Sequence, residues 1–340
     1  MKNKMKSKKY NFYILIIAVL LVLYFSLKDD FLGVIKTFSK VNLWIIFLAV
    51  ILYLISLLFK SISLKVFIRE YYKDYSVKDA YSITLMGQFF NGITPFQSGG
   101  QPFQVYFLKK EGKKVSDCIN AMLKDSLAYQ IALVLIGTIT IIINFLSGIY
   151  KDNSLNFLVF MGFIVNFIVF LVFLLIIAFK KTGLKIINNI IDFIFNIRLI
   201  RKFNTNKDFL KKWINDFYKT SKEIRKNKKE FLIGIICHII NLFMLYLVPY
   251  VVLRAFGVTN ISLLNSFIAT SFVMLISNFI PIPGATGGIE YGFYKFFGYY
   301  IGGAILTSSM LMWRFITYAF GMIIGFIILI CKKGVNKKWE

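Results

Sequence analysis

"NGITPFQSGG", residues 91–100, interrupts an apolar run with a proline, two adjacent glycines and four small polar side chains. A surface turn is the ordinary reading of such a cluster. Its surroundings argue against that reading, because 58% of the 340 residues are hydrophobic and 37 of them are phenylalanine. That is the composition of a membrane protein.

Long charge-free windows lie at residues 11–27, 42–59, 126–149, 155–179, 231–253 and 315–331. Each offers about the 17–25 apolar residues that cross a hydrocarbon core. The first follows five lysines but has no small-x-small cleavage site before Lys28, so it is expected to stay as a helix rather than leave as a signal peptide. Cys118, Cys237 and Cys331 have no paired spacing, and the single histidine, His238, lies inside a span. Neither a disulfide framework nor a metal site is expected, and helix packing is the simpler use of His238.

The net charge of +25 invites a nucleic-acid reading, but the positions of the charges decide otherwise. With a cytoplasmic N-terminus, the loops 1–10, 60–79, 109–117, 180–230 and 331–340 place 33 basic residues inside, against 6 outside. This is an orientation signal, with both termini cytoplasmic. The basic surface then meets anionic inner-leaflet lipid, at about 1 kcal/mol per well-placed Lys or Arg.

Loops 60–79 and 109–117 fall on the same side. Residues 80–108 should therefore enter from the cytoplasm and return, with residues 91–100 at the tip. Broken backbone at that depth needs protein or a watery cavity to satisfy its amides. Asn91, Thr94, Gln97 and Ser98 supply polar partners beside Pro95.

A second copy begins 187 residues later as "NFIPIPGATGG", Asn278 to Gly288, with Pro281, Pro283, Gly284 and Gly287. Its flanks are charge-poor and fall outside, so hairpin 262–300 should enter from the opposite face. Each hairpin precedes a span carrying a charge, with Lys124 24 residues after Gly100 and Arg314 26 after Gly288. The fold class expected is an all-α polytopic membrane protein of about six full transmembrane helices plus two re-entrant hairpins. Two units, 42–149 and 231–331, would form an inverted repeat within one integral membrane domain, with a site near the midplane.

After each double glycine a short helix should restart, at Gln101–Lys109 and Ile289–Tyr300, with Pro102 where a missing amide proton costs least. Free amides at such N-termini attract anions, so Gly99, Gly100, Gly287 and Gly288 are candidates for an anion cradle. Lys124, Asp125, Glu290 and Arg314 are costly at depth and should face the interior. Arg314 is the candidate partner of Glu290. Lys124 and Asp125 point about 100° apart on a helix and should find other partners. One use of these charges is to bind a phosphate through Arg314 and Lys124, with Glu290 and Asp125 balancing them or meeting a cationic headgroup. The other is to hold the two halves together by buried ion pairs.

In 180–230, Ile187, Ile190, Ile191 and Ile194, then Phe209, Leu210, Trp213, Ile214 and Phe217, recur at helical spacing beside Lys and Arg. These read as interfacial amphipathic helices linking the halves.

"GQFFNGITPFQSGGQPFQVYFLKKEG" (87–112) together with "NFIPIPGATGGIEYGF" (278–293) resembles the lysylphosphatidylglycerol synthase transmembrane family, the flippase-like region of the multiple peptide resistance factor. The resemblance covers nearly the whole chain and implies a bacterial inner-membrane protein handling a phospholipid or another lipid-linked anion. By family pattern Pro95, Gly99, Gly100, Pro283, Gly284, Gly288 and Glu290 are the positions carried over. Members often have an acidic-basic pair after the first hairpin, where this chain reads "MLKDSLAYQ". The full-length factor adds a soluble domain transferring lysine from lysyl-tRNA to phosphatidylglycerol, and with nine residues after Cys331 that domain is not expected here.

The function expected is translocation of an anionic or aminoacylated phospholipid between leaflets. No phosphate-cradling G-x-x-x-x-G-K-[ST] loop, Ser/His/Asp set or Cys/His pair is present, so no cofactor and no independent catalysis are expected. The alternative is a membrane component of a phosphatidylglycerol lysyltransferase working with a separate synthase, and a homo-oligomer is a further partner expectation. A structural or regulatory membrane protein is a third class.

Overall fold

A computed structural model describes residues 31–94, 97–151, 153–196, 223–224, 226–277, 280 and 282–335. The expected first span 11–27, Pro95, Asn278, Pro281 and the part of the interfacial stretch from 197 to 222 lie outside the described residues.

Eleven α-helices follow in order among these residues. They are α1 (Phe31–Phe38), α2 (Leu43–Arg69), α3 (Val77–Gly92), α4 (Gly100–Lys110), α5 (Val115–Ser147), α6 (Asn153–Asn196), α7 (Lys228–Ala255), α8 (Leu263–Ser277), α9 (Gly288–Phe297), α10 (Gly303–Arg314) and α11 (Gly321–Val335). A π-helical segment, Phe315–Phe320, joins α10 to α11. Five stretches are long and apolar enough to cross a membrane: 43–69, 115–147, 155–175, 228–255 and 303–332. They account for the five expected spans that fall among the described residues, and the chain is a multi-pass membrane protein.

Local chemistry sets the ends. Asn42 caps α2 by accepting from the amides of Trp44 and Ile45 at 3.0 and 3.3 Å. Gly148 ends α5 in the left-handed conformation that a side chain disfavours (φ 62°). Two boundaries differ from the expectation. α6 runs unbroken to Asn196, so the first part of the stretch expected as interfacial helices from residue 180 continues a span. The basic loop expected from residue 60 begins at Glu70, because α2 continues for 27 residues, about 40 Å at 1.5 Å per residue. Lys60 and Lys65 are therefore helical.

Between the spans lie two pairs of short helices, α3 with α4 and α8 with α9. Helices of 16, 11, 15 and 10 residues are each too short to cross alone. α2 and α7 form the central packed pair. Small and polar residues bring them close: Ser56, Ser61 and Ser63 are buried on α2, and Asn241 of α7 donates to the Ser56 carbonyl at 2.7 Å. This is the membrane way of joining helices, by close approach and interhelical hydrogen bonds. α3 lies between α2 and α11, and α8 lies against α5, α6, α7 and α9. A Cβ at Gly325 of α11 would come within 2.2 Å of the Leu85 carbonyl on α3, so only glycine admits that contact.

Two large apolar clusters form the core. One packs Phe272, Phe293, Phe296, Phe297 and Trp313 beneath α8 and α9. The other packs Phe67, Ile83, Met86, Leu108 and Met122 beneath α3 and α4.

Candidate functional site

The two loops that interrupt the short helices face one another. α3 packs on the 3₁₀ turn Pro283–Ala285, and Asn91, Gln97, Ser277, Ile280 and Ala285 line a single cavity of about 430 Å³. The rest of the wall mixes polar side chains, among them Lys60, Gln101, Gln104, Asp125, Gln130 and His238 from α2, α4, α5 and α7, with apolar ones such as Leu133 and Phe173. A smaller cavity of about 140 Å³ shares Lys60, Asn91, Gln97, Tyr129 and Ser277 with it and reaches Arg314 and Tyr318.

The first loop holds itself together. Thr94 Oγ1 accepts from the Gly99 amide at 2.8 Å, and Asn91 Oδ1 accepts from the Gly100 amide at 2.8 Å. These bonds correct the expected anion cradle at this tip, since both glycine amides are taken by acceptors the loop supplies itself. The glycines are there for closeness: a Cβ on Gly100 would lie 2.4 Å from Asn91 Oδ1. Gln97 adopts a left-handed backbone (φ 53°) and leaves its side chain exposed in the cavity.

At the second loop, Gly284 (φ 65°) turns the chain and Glu290 accepts from the Gly287 amide at 2.6 Å. The same carboxylate pairs with Arg314 Nε at 2.8 Å, as the charge reading expected. Arg314 also donates to the Gly284 carbonyl at 3.0 Å, and its guanidinium lies 4.6 Å from the centre of the Tyr318 ring. Glu290 thus caps α9 and neutralises Arg314 together, which lowers the cost of both charges at depth.

The two neighbours of α5 part company. Lys124 is 1% exposed and pairs with Glu70 and Glu223 at 2.7 Å each, with the Tyr71 hydroxyl at 3.1 Å. It does not line either cavity described above, so its expected place beside a bound phosphate is corrected: it is one member of a charged cluster at the end of α2. Burial, and then the carboxylate of Glu223 that its hydroxyl donates to, push the Tyr71 phenol up. Asp125 does line the cavity, where its Oδ1 accepts from Ser63 Oγ at 2.6 Å and lies 2.9 Å from His238 Nε2.

Three residues of this site escaped the sequence reading. Lys60 lines both cavities and makes no hydrogen bond or ion pair with any described residue. His238 is fully buried against Asp125 and Tyr129, with no partner for Nδ1 among the described residues. Tyr318 links the loops by donating to the Gly92 carbonyl at 2.8 Å while its ring covers Gly284. Buried polar atoms left unpaired inside a cavity mark a place for a ligand or water, and Thr84 Oγ1 is a further one. No group of three or more His, Cys, Asp or Glu suited to a metal occurs among the described residues.

The sequence profile of the lysylphosphatidylglycerol synthase TM region matches residues 12–325. The chain belongs to that family. Its match spans α1 to α10 and the first turn of α11, so both loops and every residue of the cavity fall within it. No curated protein matches the sequence. Membership in the lysylphosphatidylglycerol synthase TM-region family ties the chain to lipid metabolism in a membrane.

Proposed function

We propose that the protein translocates an anionic or aminoacylated phospholipid between leaflets, with the headgroup in the cavity between the two loops and the acyl chains in lipid. The observation that carries this reading is the cavity itself: polar side chains from seven helices line it, around a lysine with no partner among the described residues. An ammonium with no carboxylate in direct contact among the described residues keeps its donors free, and a phosphate is a natural acceptor for them. In this reading Lys60 meets the phosphate, while Asn91, Gln97, Gln101, Gln104 and Ser277 take the headgroup's donors and acceptors. Glu290 and Arg314 hold the second loop in place, and Gly99, Gly100, Gly284 and Gly288 let the loops close.

The inverted repeat is part of the same proposal. Its support is that packing partners exchange when the halves are exchanged: α2 with α3 and α7 with α8, α2 with α5 and α7 with α10, α3 with α4 and α8 with α9. α2 and α7, which would be equivalent, pack on each other. Two loops entering from opposite faces and meeting at one site suit alternating exposure of that site. The charge asymmetry supports cytoplasmic termini, and the family resemblance supports a bacterial inner membrane.

The experiment is exchange of labelled phosphatidylglycerol and lysyl-phosphatidylglycerol between leaflets of proteoliposomes. Acceleration over empty vesicles that falls with Lys60→Met supports the proposal; no acceleration for any anionic or lysylated lipid refutes it. The family description favours a second reading, a membrane component of lysyl-phosphatidylglycerol synthesis working with a separate synthase. Co-purification of such a synthase, with lipid exchange absent, would select it.

A further inference from the structure

The charges of the cavities balance when nothing is bound. Lys60 on α2 and Asp125 on α5 line the larger cavity with opposite charges and no direct ion pair between them, and Arg314 in the smaller one is neutralised by Glu290. The cluster of Lys124, Glu70 and Glu223 does not line either cavity. An anionic headgroup entering this space therefore brings one uncompensated negative charge into the membrane interior, where net charge is heavily penalised. Either that charge is carried across unbalanced, or the site takes up a compensating cation as the lipid binds.

The wall of the larger cavity holds a group that can do so. His238 on α7 is the only histidine in the chain, and imidazole is the side chain that gains a proton near neutral pH. Around it stand Ser63 and Lys60 on α2, Asp125 and Tyr129 on α5, and Cys237 on its own helix. Among these only Asp125 is an anion. Its Oδ1 is fixed between Ser63 and His238, while Oδ2 has no partner among the described residues and the side chain keeps 13% exposure. Donating its Nε2 proton to Asp125, a neutral His238 keeps a lone pair on Nδ1, and that nitrogen has no partner among the described residues. The pair thus has an empty place for one proton, a fixed partner for the imidazolium that results, and an opening to the cavity through the carboxylate.

We infer that the Asp125–His238 pair binds one proton when an anionic headgroup enters, so that lipid and proton cross together without net charge. The inference rests on the proposed lipid translocation and adds its energy source. In balance, a proton leaves bulk water for the pair, converting imidazole–carboxylate into imidazolium–carboxylate, and the phosphate meets Lys60. On release both leave on the other side and the pair returns to its neutral form. No bond to the lipid is made or broken.

The test uses the full chain reconstituted in phosphatidylcholine vesicles carrying labelled phosphatidylglycerol. With one proton per lipid, a pH gradient should drive accumulation in the alkaline-side leaflet, about tenfold per pH unit, since one unit corresponds to a tenfold equilibrium ratio. An imposed membrane potential should drive none. In His238→Gln, which keeps a neutral hydrogen-bonding side chain beside Asp125, the accumulation should collapse to an even distribution. Accumulation that follows the potential and ignores the pH gradient overturns the inference while leaving translocation intact. The nitrogen NMR signals of the sole histidine give a second readout on the unmutated protein. They should move to the imidazolium position when phosphatidylglycerol is added and stay put with phosphatidylcholine alone. If no lipid moves at all, translocation fails, and an unmoved histidine signal then rejects proton uptake separately.

Discussion

The Tyr318 hydroxyl donates to the Gly92 carbonyl at 2.8 Å, a bond between residues 226 apart that ties the last span to the end of α3. Gly92 is the last residue of α3, so this bond satisfies a carbonyl that the helix leaves without an internal partner. Tyr318→Phe deletes only the hydroxyl. The expected loss is about 1 kcal/mol, read as a fall of about 2 °C in the unfolding temperature of the detergent-solubilised protein.

Beneath the same ring, Gly284 turns the second loop with φ 65°. A Cβ there would stand 2.5 Å from the Tyr318 ring. Gly284→Ala should therefore cost about 2 kcal/mol or more, from backbone strain and collision together. Combining it with Tyr318→Ala should recover the collision and leave the strain, measurable as a partial return of thermal stability.

Lys124 and Lys60 should separate cleanly. Lys124→Met leaves Glu70 without its buried cation, and breaking such a pair costs about 3 kcal/mol; folded protein that remains should keep its lipid selectivity. Lys60→Met orphans no described partner, so its unfolding temperature should stay near the parent value while exchange of anionic lipid falls by at least tenfold. Thermal denaturation beside lipid exchange distinguishes the two.

The Glu290–Arg314 pair, at 2.8 Å, should show a coupling energy of about 2 kcal/mol in a double-mutant cycle with Glu290→Gln and Arg314→Gln. Each single variant should also loosen the second loop, seen as faster amide exchange at residues 283–290. Coupling near zero would mean that Glu290 acts on the helix end alone.

How much of this was legible beforehand depends on the range of the interaction. Hydropathy marks the spans because lipid sets their length, and the paired Pro and Gly clusters mark the loops because only such residues break a helix there. The Glu290–Arg314 pair was legible too, since few charges at depth leave few choices. Lys60 was hidden because a lysine at the end of an apolar run looks like the start of a loop, and nothing local tells that α2 continues. Lys124 looked like a site residue until Glu70 and Glu223, 54 residues before it and 99 after it, came alongside. His238 was read as packing, which its full burial fits, but its partner Asp125 lies 113 residues away and only the fold places both on one cavity. The expected anion cradle failed at the first tip for a local reason, as Asn91 and Thr94 were close enough to take the amides first.

Gln101, exposed and lining the cavity, offers the most direct test of the lipid path. In a background with Cys118, Cys237 and Cys331 replaced, Gln101→Cys is treated with a bulky charged thiol reagent and phosphatidylglycerol exchange is followed in proteoliposomes. The account predicts that modification drops exchange to the rate of empty vesicles. Exchange that continues at the unmodified rate after complete labelling would contradict it.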